Sequence, residues 1–261
     1  MLQRLSAKIE RSRRPISAEV EPVGEAILKV EGIHSYIGKH HILQGVSFRV
    51  NPGKVTVLLG RNGAGKSTTL RTIMGLLSPS QGTILFKEKA IHHMKSYEIS
   101  RLGIGFVPED RGIFNLLTVE ENFRVAMLQE NGESRQRMDT VFDIFPDLKK
   151  FWKSTAGNLS GGQKQMLAIA RPLVNRNELL LIDEPSKGLA PIIIDHLIDS
   201  INKLKEFTVV ILVEQNFYMA SSLGSDFYLF DDGRTVHHGQ MEELIRDEEL
   251  KKKYLGISSA G

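Results

Sequence analysis

The chain has 261 residues, with 34 Lys and Arg against 31 Asp and Glu, and it contains no cysteine. A net charge of +3 lacks the basic excess of a dedicated nucleic-acid binder. The missing cysteine excludes disulfides, thiolate metal sites and cysteine nucleophiles, and no apolar run reaches the roughly 18 residues of a membrane-spanning helix.

Residues 1–25 read as a basic, flexible extension (Arg4, Lys8, Arg11, Arg13, Arg14) that closes at Pro22-Val23-Gly24. No apolar region follows the basic residues, so the pattern is not that of a secretory signal. A solvated tail and an attraction to anionic lipid or an acidic partner both fit this charge pattern. Strands are expected at Ala26–Glu31 and near Val46–Val50, with a turn at Asn51-Pro52-Gly53. Val55–Leu59 is a short apolar, β-rich run and reads as a buried strand. A helix follows from Lys66 to about Met74, then the turn Ser78–Gly82 and a strand Thr83–Phe86. Residues 89–160 read as mostly helical, and Thr118-Val119-Glu120-Glu121 has the form of a capping box. The remainder alternates: strand Leu179–Asp183, helix Pro191–Lys205, strand Thr208–Glu214, then a shorter helix. Strands alternating with helices predict a largely parallel α/β sheet. Pro172 predicts a kink or an early helix end near Ala168–Arg171, because it lacks a donor and crowds the preceding turn.

Three motifs carry chemistry. Gly60-Arg61-Asn62-Gly63-Ala64-Gly65-Lys66-Ser67 fits G-x-x-x-x-G-K-[ST] between a buried strand and a helix. Its glycines allow a tight turn, and successive backbone N–H groups form an anion nest at a helix N-terminus. Lys66 is expected on the β- and γ-phosphates of a bound nucleotide and Ser67 on Mg²⁺. Leu179–Ile182 then runs into Asp183 and Glu184. Ligands of open α/β sheets sit at such carboxyl ends, so Asp183 is placed to hold Mg²⁺ through water. Glu184, one step on, is the candidate to orient and deprotonate an attacking water. Leu159-Ser160-Gly161-Gly162-Gln163 opens a helix: Ser160 and Gln163 suit a capping box, and the paired glycines suit a second phosphate contact.

In this order the three motifs resemble the ATP-binding subunits of ABC transporters, from about Ala26 to the end of the chain. The resemblance implies a P-loop NTPase fold spanning 26–261. That fold has a mainly parallel core sheet, an antiparallel β subdomain and a helical subdomain over roughly 89–160. It implies ATP hydrolysis with Mg²⁺. Gly60, Arg61, Asn62, Gly63, Ala64, Gly65, Lys66, Ser67 and Thr68 would wrap the phosphates, and Tyr36 would stack on adenine. Ser160, Gly161, Gly162 and Gln163 would contact ATP bound to a second subunit arranged head to tail. Three positions depart from the common pattern. Glu109 in Val107-Pro108-Glu109 stands where a glutamine is usual, beside Ser67 and Asp183 at the metal. Ala190 replaces an aspartate. Gln215 replaces the switch histidine and can donate to the γ-phosphate, but cannot carry a proton or charge.

The three departures, with Gly188-Leu189-Ala190-Pro191 and Val213-Glu214-Gln215-Asn216, are similar to the ATPases of branched-chain amino acid importers. Urea and amide importers have relatives of the same type. The resemblance implies a peripheral subunit on the cytoplasmic face of the inner membrane. It would pair with a second, different ATPase beneath two permeases, with a solute-binding protein as an indirect partner. Exposed Ile113, Phe114 and Leu116 would face a permease. A non-transport ABC ATPase and a weakly hydrolysing regulatory module are the alternatives. The single phosphate loop and the lack of a heptad run weigh against the first, Glu184 against the second.

Overall fold

The computed structural model describes residues 26–257, so the basic extension over residues 1–25 lies outside the described residues. In chain order the elements are β1 (Leu28–Ile37), β2 (His40–Val50), β3 (Val55–Gly60), α1 (Lys66–Ile73), β4 (Gln81–Phe86), β5 (Lys89–Ala90), α2 (Ser96–Arg101) and β6 (Ile104–Val107). There follow α3 (Val119–Ala126), α4 (Gly132–Ile144), α5 (Pro146–Lys150), α6 (Gly161–Ala170), β7 (Leu179–Asp183), α7 (Pro191–Leu204), β8 (Val209–Val213), α8 (Phe217–Leu223), β9 (Asp226–Asp231), β10 (Arg234–Gln240) and α9 (Met241–Arg246).

The strands form two sheets. A four-stranded antiparallel sheet runs β2-β1-β4-β5, and a six-stranded sheet runs β10-β9-β3-β8-β7-β6. In the larger sheet β9, β3, β8, β7 and β6 are parallel and β10 is an antiparallel edge. Side chains alternate across a strand, and the central strands are apolar on both faces. Val55, Val57, Leu59, Leu180, Ile182, Val210 and Leu212 join a core with the helices α3, α4, α6 and α7. Leu58, Leu179, Leu181, Val209, Ile211 and Val213 join a second core with β1, β2 and Leu70 and Ile73 of α1. A sheet covered on both faces explains the unbroken apolar runs of β7 and β8. Each fully buried leucine or isoleucine contributes about 1.5–3 kcal/mol.

The elements expected from the sequence are present, with four differences. β1 continues to Ile37 and β2 starts at His40, so the hairpin is longer than the runs ending at Glu31 and starting at Val46. Register shifts break the alternation in that arm, and a bulge hides a strand from periodicity. The segment 89–160, expected to be mostly helical, has fewer than half of its residues in helices and also contributes β5 and β6, the latter to the core sheet. An additional hairpin, β9–β10, follows the last expected helix. Its turn, Asp232-Gly233, has φ of 46° and 72°, the positive pair that Asp-Gly favours between strands. Finally, Ile113 is partly buried against the core, leaving Phe114 and Leu116 exposed. The helix α6 does end at Ala170, and residues Arg171–Val174 tighten into a 3₁₀ turn around Pro172, as the missing donor requires.

Candidate functional site

Four neighbouring parallel strands deliver the candidate residues to one edge. In spatial order β3 ends at Gly60, β8 leads into Glu214 and Gln215, β7 ends at Asp183, and β6 leads to Glu109. This is the carboxyl-end crevice where open α/β sheets bind ligands.

The phosphate loop is fixed by close backbone approaches. A Cβ on Gly60, at φ 150°, would lie 2.3 Å from the Phe230 carbonyl oxygen of β9. A Cβ on Gly65, at φ 99°, would lie 2.8 Å from Leu43 of β2. Gly233, in the β9–β10 turn, donates its N–H to the Ala64 carbonyl (3.2 Å), and its carbonyl accepts from Gln44 N–H (2.8 Å). Both sheets thus grip the loop. Gly65 caps α1 in the left-handed region with no side-chain cap, leaving the first-turn N–H groups available to an anion. The Lys66 ammonium donates to the Gly60 and Arg61 carbonyls at 2.8 and 3.0 Å. Burial lowers its pKa, against the pull of Glu184 and Asp183. The Arg61 guanidinium reaches the Lys253 carbonyl (3.3 Å), and the Thr68 carbonyl accepts from the Thr72 hydroxyl (2.8 Å).

Beside it, the Ser67 hydroxyl donates to Asp183 Oδ1 at 2.9 Å. Asp183 is buried, and its Oδ2 has no hydrogen-bond partner. Burial pushes its pKa up to about 6, opposed by the Ser67 hydrogen bond. An orphaned carboxylate oxygen next to a hydroxyl fits a divalent cation. Among the described residues no group of three or more His, Cys, Asp or Glu could hold a metal by itself. Mg²⁺ takes one or two protein ligands and completes its shell with water and phosphate oxygens, and the Ser67–Asp183 pair fits that donor set.

Glu184 leaves the strand in the left-handed region, at φ 46°, with its N–H on the Val213 carbonyl (2.9 Å). Strand alternation therefore does not aim its side chain; a backbone conformation unfavourable for a non-glycine residue does. The Gln215 amide donates from Nε2 to Glu184 and to Asn62, bridging the acidic strand end and the phosphate loop. Glu109 accepts from Lys187, which also lies 4.0 Å from Glu184. Sequence reasoning did not anticipate that Lys187 engages the departed glutamine position. Tyr36 is exposed and stacks on His41, with ring centroids 4.3 Å apart at 8°.

Among the described residues, the side chains of Ser160 and Gln163 share no hydrogen bond with this cluster. Ser160 Oγ accepts from Gln163 N–H (3.2 Å) and Gln163 Oε1 accepts from Ser160 N–H (2.9 Å), a complete capping box on α6. Gly161 is exposed, and Gly162 is packed so tightly under Ile193 of α7 that a Cβ would come within 2.8 Å of it. Sequence reasoning gave no role to Glu214, which is buried and accepts hydrogen bonds from Ser186 after β7 and from Asn216 in its own segment. The available signal was an acid directly after a wholly apolar strand.

Known proteins resemble this chain. Residues 43–187 match the family described as ABC transporter. The chain is 39% identical over 232 residues to the high-affinity branched-chain amino acid transport ATP-binding protein BraG of Pseudomonas aeruginosa, covering 88% of this chain and 100% of that protein. It is 36% identical to the probable branched-chain amino acid transport ATP-binding protein LivF of Archaeoglobus fulgidus, covering 83% and 93%. The ADP conformation of MJ1267, an ATP-binding cassette of an ABC transporter, superposes with a TM-score of 0.78 at 26% identity, covering 89% of this chain and 98% of that one.

Proposed function

Because the chain belongs to the ABC transporter family, as an ATP-hydrolysing nucleotide-binding subunit, we propose that it powers import of branched-chain amino acids. It does so from the cytoplasmic face of a membrane, as one half of a head-to-tail ATPase pair beneath two permeases. BraG and LivF, whose names specify that solute class, support the choice of solute. The observation that carries the paired arrangement is the split of the nucleotide-facing parts. Ser160 and Gln163 spend their hydrogen bonds on each other, while the phosphate loop, Asp183, Glu184 and Gln215 cluster elsewhere. An exposed glycine-bearing helix start suits the phosphate of a neighbouring subunit.

Within one site, the loop from Gly60 to Thr68 wraps the phosphates, and Lys66 turns from its own carbonyls to the β- and γ-phosphates. Ser67 and Asp183 would hold Mg²⁺, with Glu109 facing the same edge, and the bound ion would neutralise charge on the phosphate oxygens. Glu184 accepts a proton from the water that attacks the γ-phosphorus as the bond to the β-phosphate oxygen breaks. Gln215 donates to the γ-phosphate and orients Glu184, and Tyr36 offers its free face to adenine.

Gentle solubilisation of native membranes, pull-down of the tagged chain and identification of its companions tests the reading. Two multi-span permeases, a second ATPase chain and uptake of labelled leucine that depends on them are expected. Ribosomal or DNA-repair proteins with no membrane partner would overturn it.

A further inference from the structure

Glu214 is 1% exposed and forms no ion pair among the described residues. Its carboxylate accepts four hydrogen bonds. Oε1 takes the Ser186 N–H (2.9 Å); Oε2 takes the Ser186 hydroxyl (2.8 Å), the Gln215 N–H (3.0 Å) and the Asn216 N–H (3.0 Å). An amide would turn its NH₂ toward one of these donors, whereas a carboxyl group can accept from all four. A buried carboxylate with no direct ion-pair partner is expensive to keep. What it obtains is a fixed geometry between two loops from adjacent strands.

Those loops lead in opposite directions. Gln215 reaches Asn62 of the phosphate loop and Glu184. Ser186 opens a tight segment, closed by Lys187 N–H to the Glu184 carbonyl (3.2 Å) and Leu189 N–H to the Ser186 carbonyl (3.1 Å). The far end of that segment lies under the signature: Leu189 is 3.8 Å from the Cβ position of Gly161, and Ile193 crowds Gly162. We propose that Glu214 is a positioning residue that links Gln215 to the segment Ser186–Ile193, so that nucleotide at the phosphate loop and the posture of the signature glycines move together. The link rests on the γ-phosphate role of Gln215 proposed above.

Hydrogen exchange on the full chain, with and without saturating Mg²⁺ and a non-hydrolysable ATP analogue, tests it. In the wild type, exchange over 213–217 and over 186–193 slows by about fivefold or more on binding, as local opening is suppressed. In Glu214→Gln the response over 213–217 persists and that over 186–193 falls below about twofold. In the assembled ATPase the same variant lowers kcat by about tenfold while KM for ATP stays within about twofold; a structural role alone does not produce that split. Wild-type-like responses in both segments of Glu214→Gln overturn the link. Should Glu214→Gln fail to fold, Ser186→Ala removes one of the four bonds, and an undiminished response over 186–193 in that variant overturns the link equally. A wild type responding at 213–217 but not at 186–193 refutes the link alone. No response at 213–217 refutes the role of Gln215 and the link with it.

Discussion

The Ser67 hydroxyl donates to Asp183 at 2.9 Å, joining positions 116 residues apart. The bond brings the start of α1 against the end of β7, two strands away from β3 in the sheet. It occupies one oxygen of Asp183 and leaves the other buried without a partner. A buried acceptor left without a donor is uncomfortable.

That discomfort is measurable through pH. Burial raises the Asp183 pKa from an ordinary 3.8 to about 6. The folded chain then holds a proton that the unfolded chain has released between those values. The stability this contributes is complete below the unfolded value and is lost as pH rises through about 6. Without Mg²⁺ and nucleotide, Asp183→Asn is expected to be more stable than the wild type near pH 7.5, by on the order of 2 kcal/mol. The advantage fades below about pH 4. Thermal unfolding across a pH series measures it, and a difference that does not vary with pH would contradict the assignment.

Glu184→Gln keeps the side-chain shape and an acceptor for Gln215 but removes the base. ATP turnover of the assembled complex should fall by about 10²–10⁴-fold, with ATP binding retained. Unchanged turnover would show that another group takes the proton.

Gly60→Ala probes the grip of the sheet on the phosphate loop. The added Cβ meets the Phe230 carbonyl oxygen at 2.3 Å, at a φ that L side chains rarely adopt. A loss of about 2 kcal/mol or more in chemical denaturation is expected, together with weaker binding of a fluorescent ATP analogue. A variant as stable as the wild type would mean that the loop relaxes freely away from β9.

Ser160→Asp separates capping from phosphate contact. Aspartate caps helices about as well as serine and suits the positive helix end. Stability of the isolated chain should therefore change by less than about 0.5 kcal/mol. A negative charge facing the neighbouring subunit's phosphates should nonetheless abolish turnover in the assembled pair. Full activity in that variant would leave the signature with only its capping role.

Much of this protein is legible in its residues taken alone. The phosphate loop, the acidic strand end and the signature are local motifs whose chemistry depends on spacing along the chain. Both faces of β7 and β8 are buried, so their apolar runs are unbroken and plainly strands. The caps at Thr118 and Ser160 are likewise written within four residues. The first hairpin is not, because bulges and half-exposed histidines erase its alternation.

Only the tertiary structure decided which distant groups meet. Strand order puts β8 between β3 and β7, so Glu214 and Gln215 fall between the phosphate loop and the acidic strand end. Neighbours in a parallel sheet are separated by whole crossover helices, and no pattern in one segment reports the identity of the next strand across. Lys187 on Glu109, Gln215 on Glu184, and the two Ser186 donors on Glu214 follow from that order. Spacing along the sequence chose the chemistry, and the sheet chose the partners.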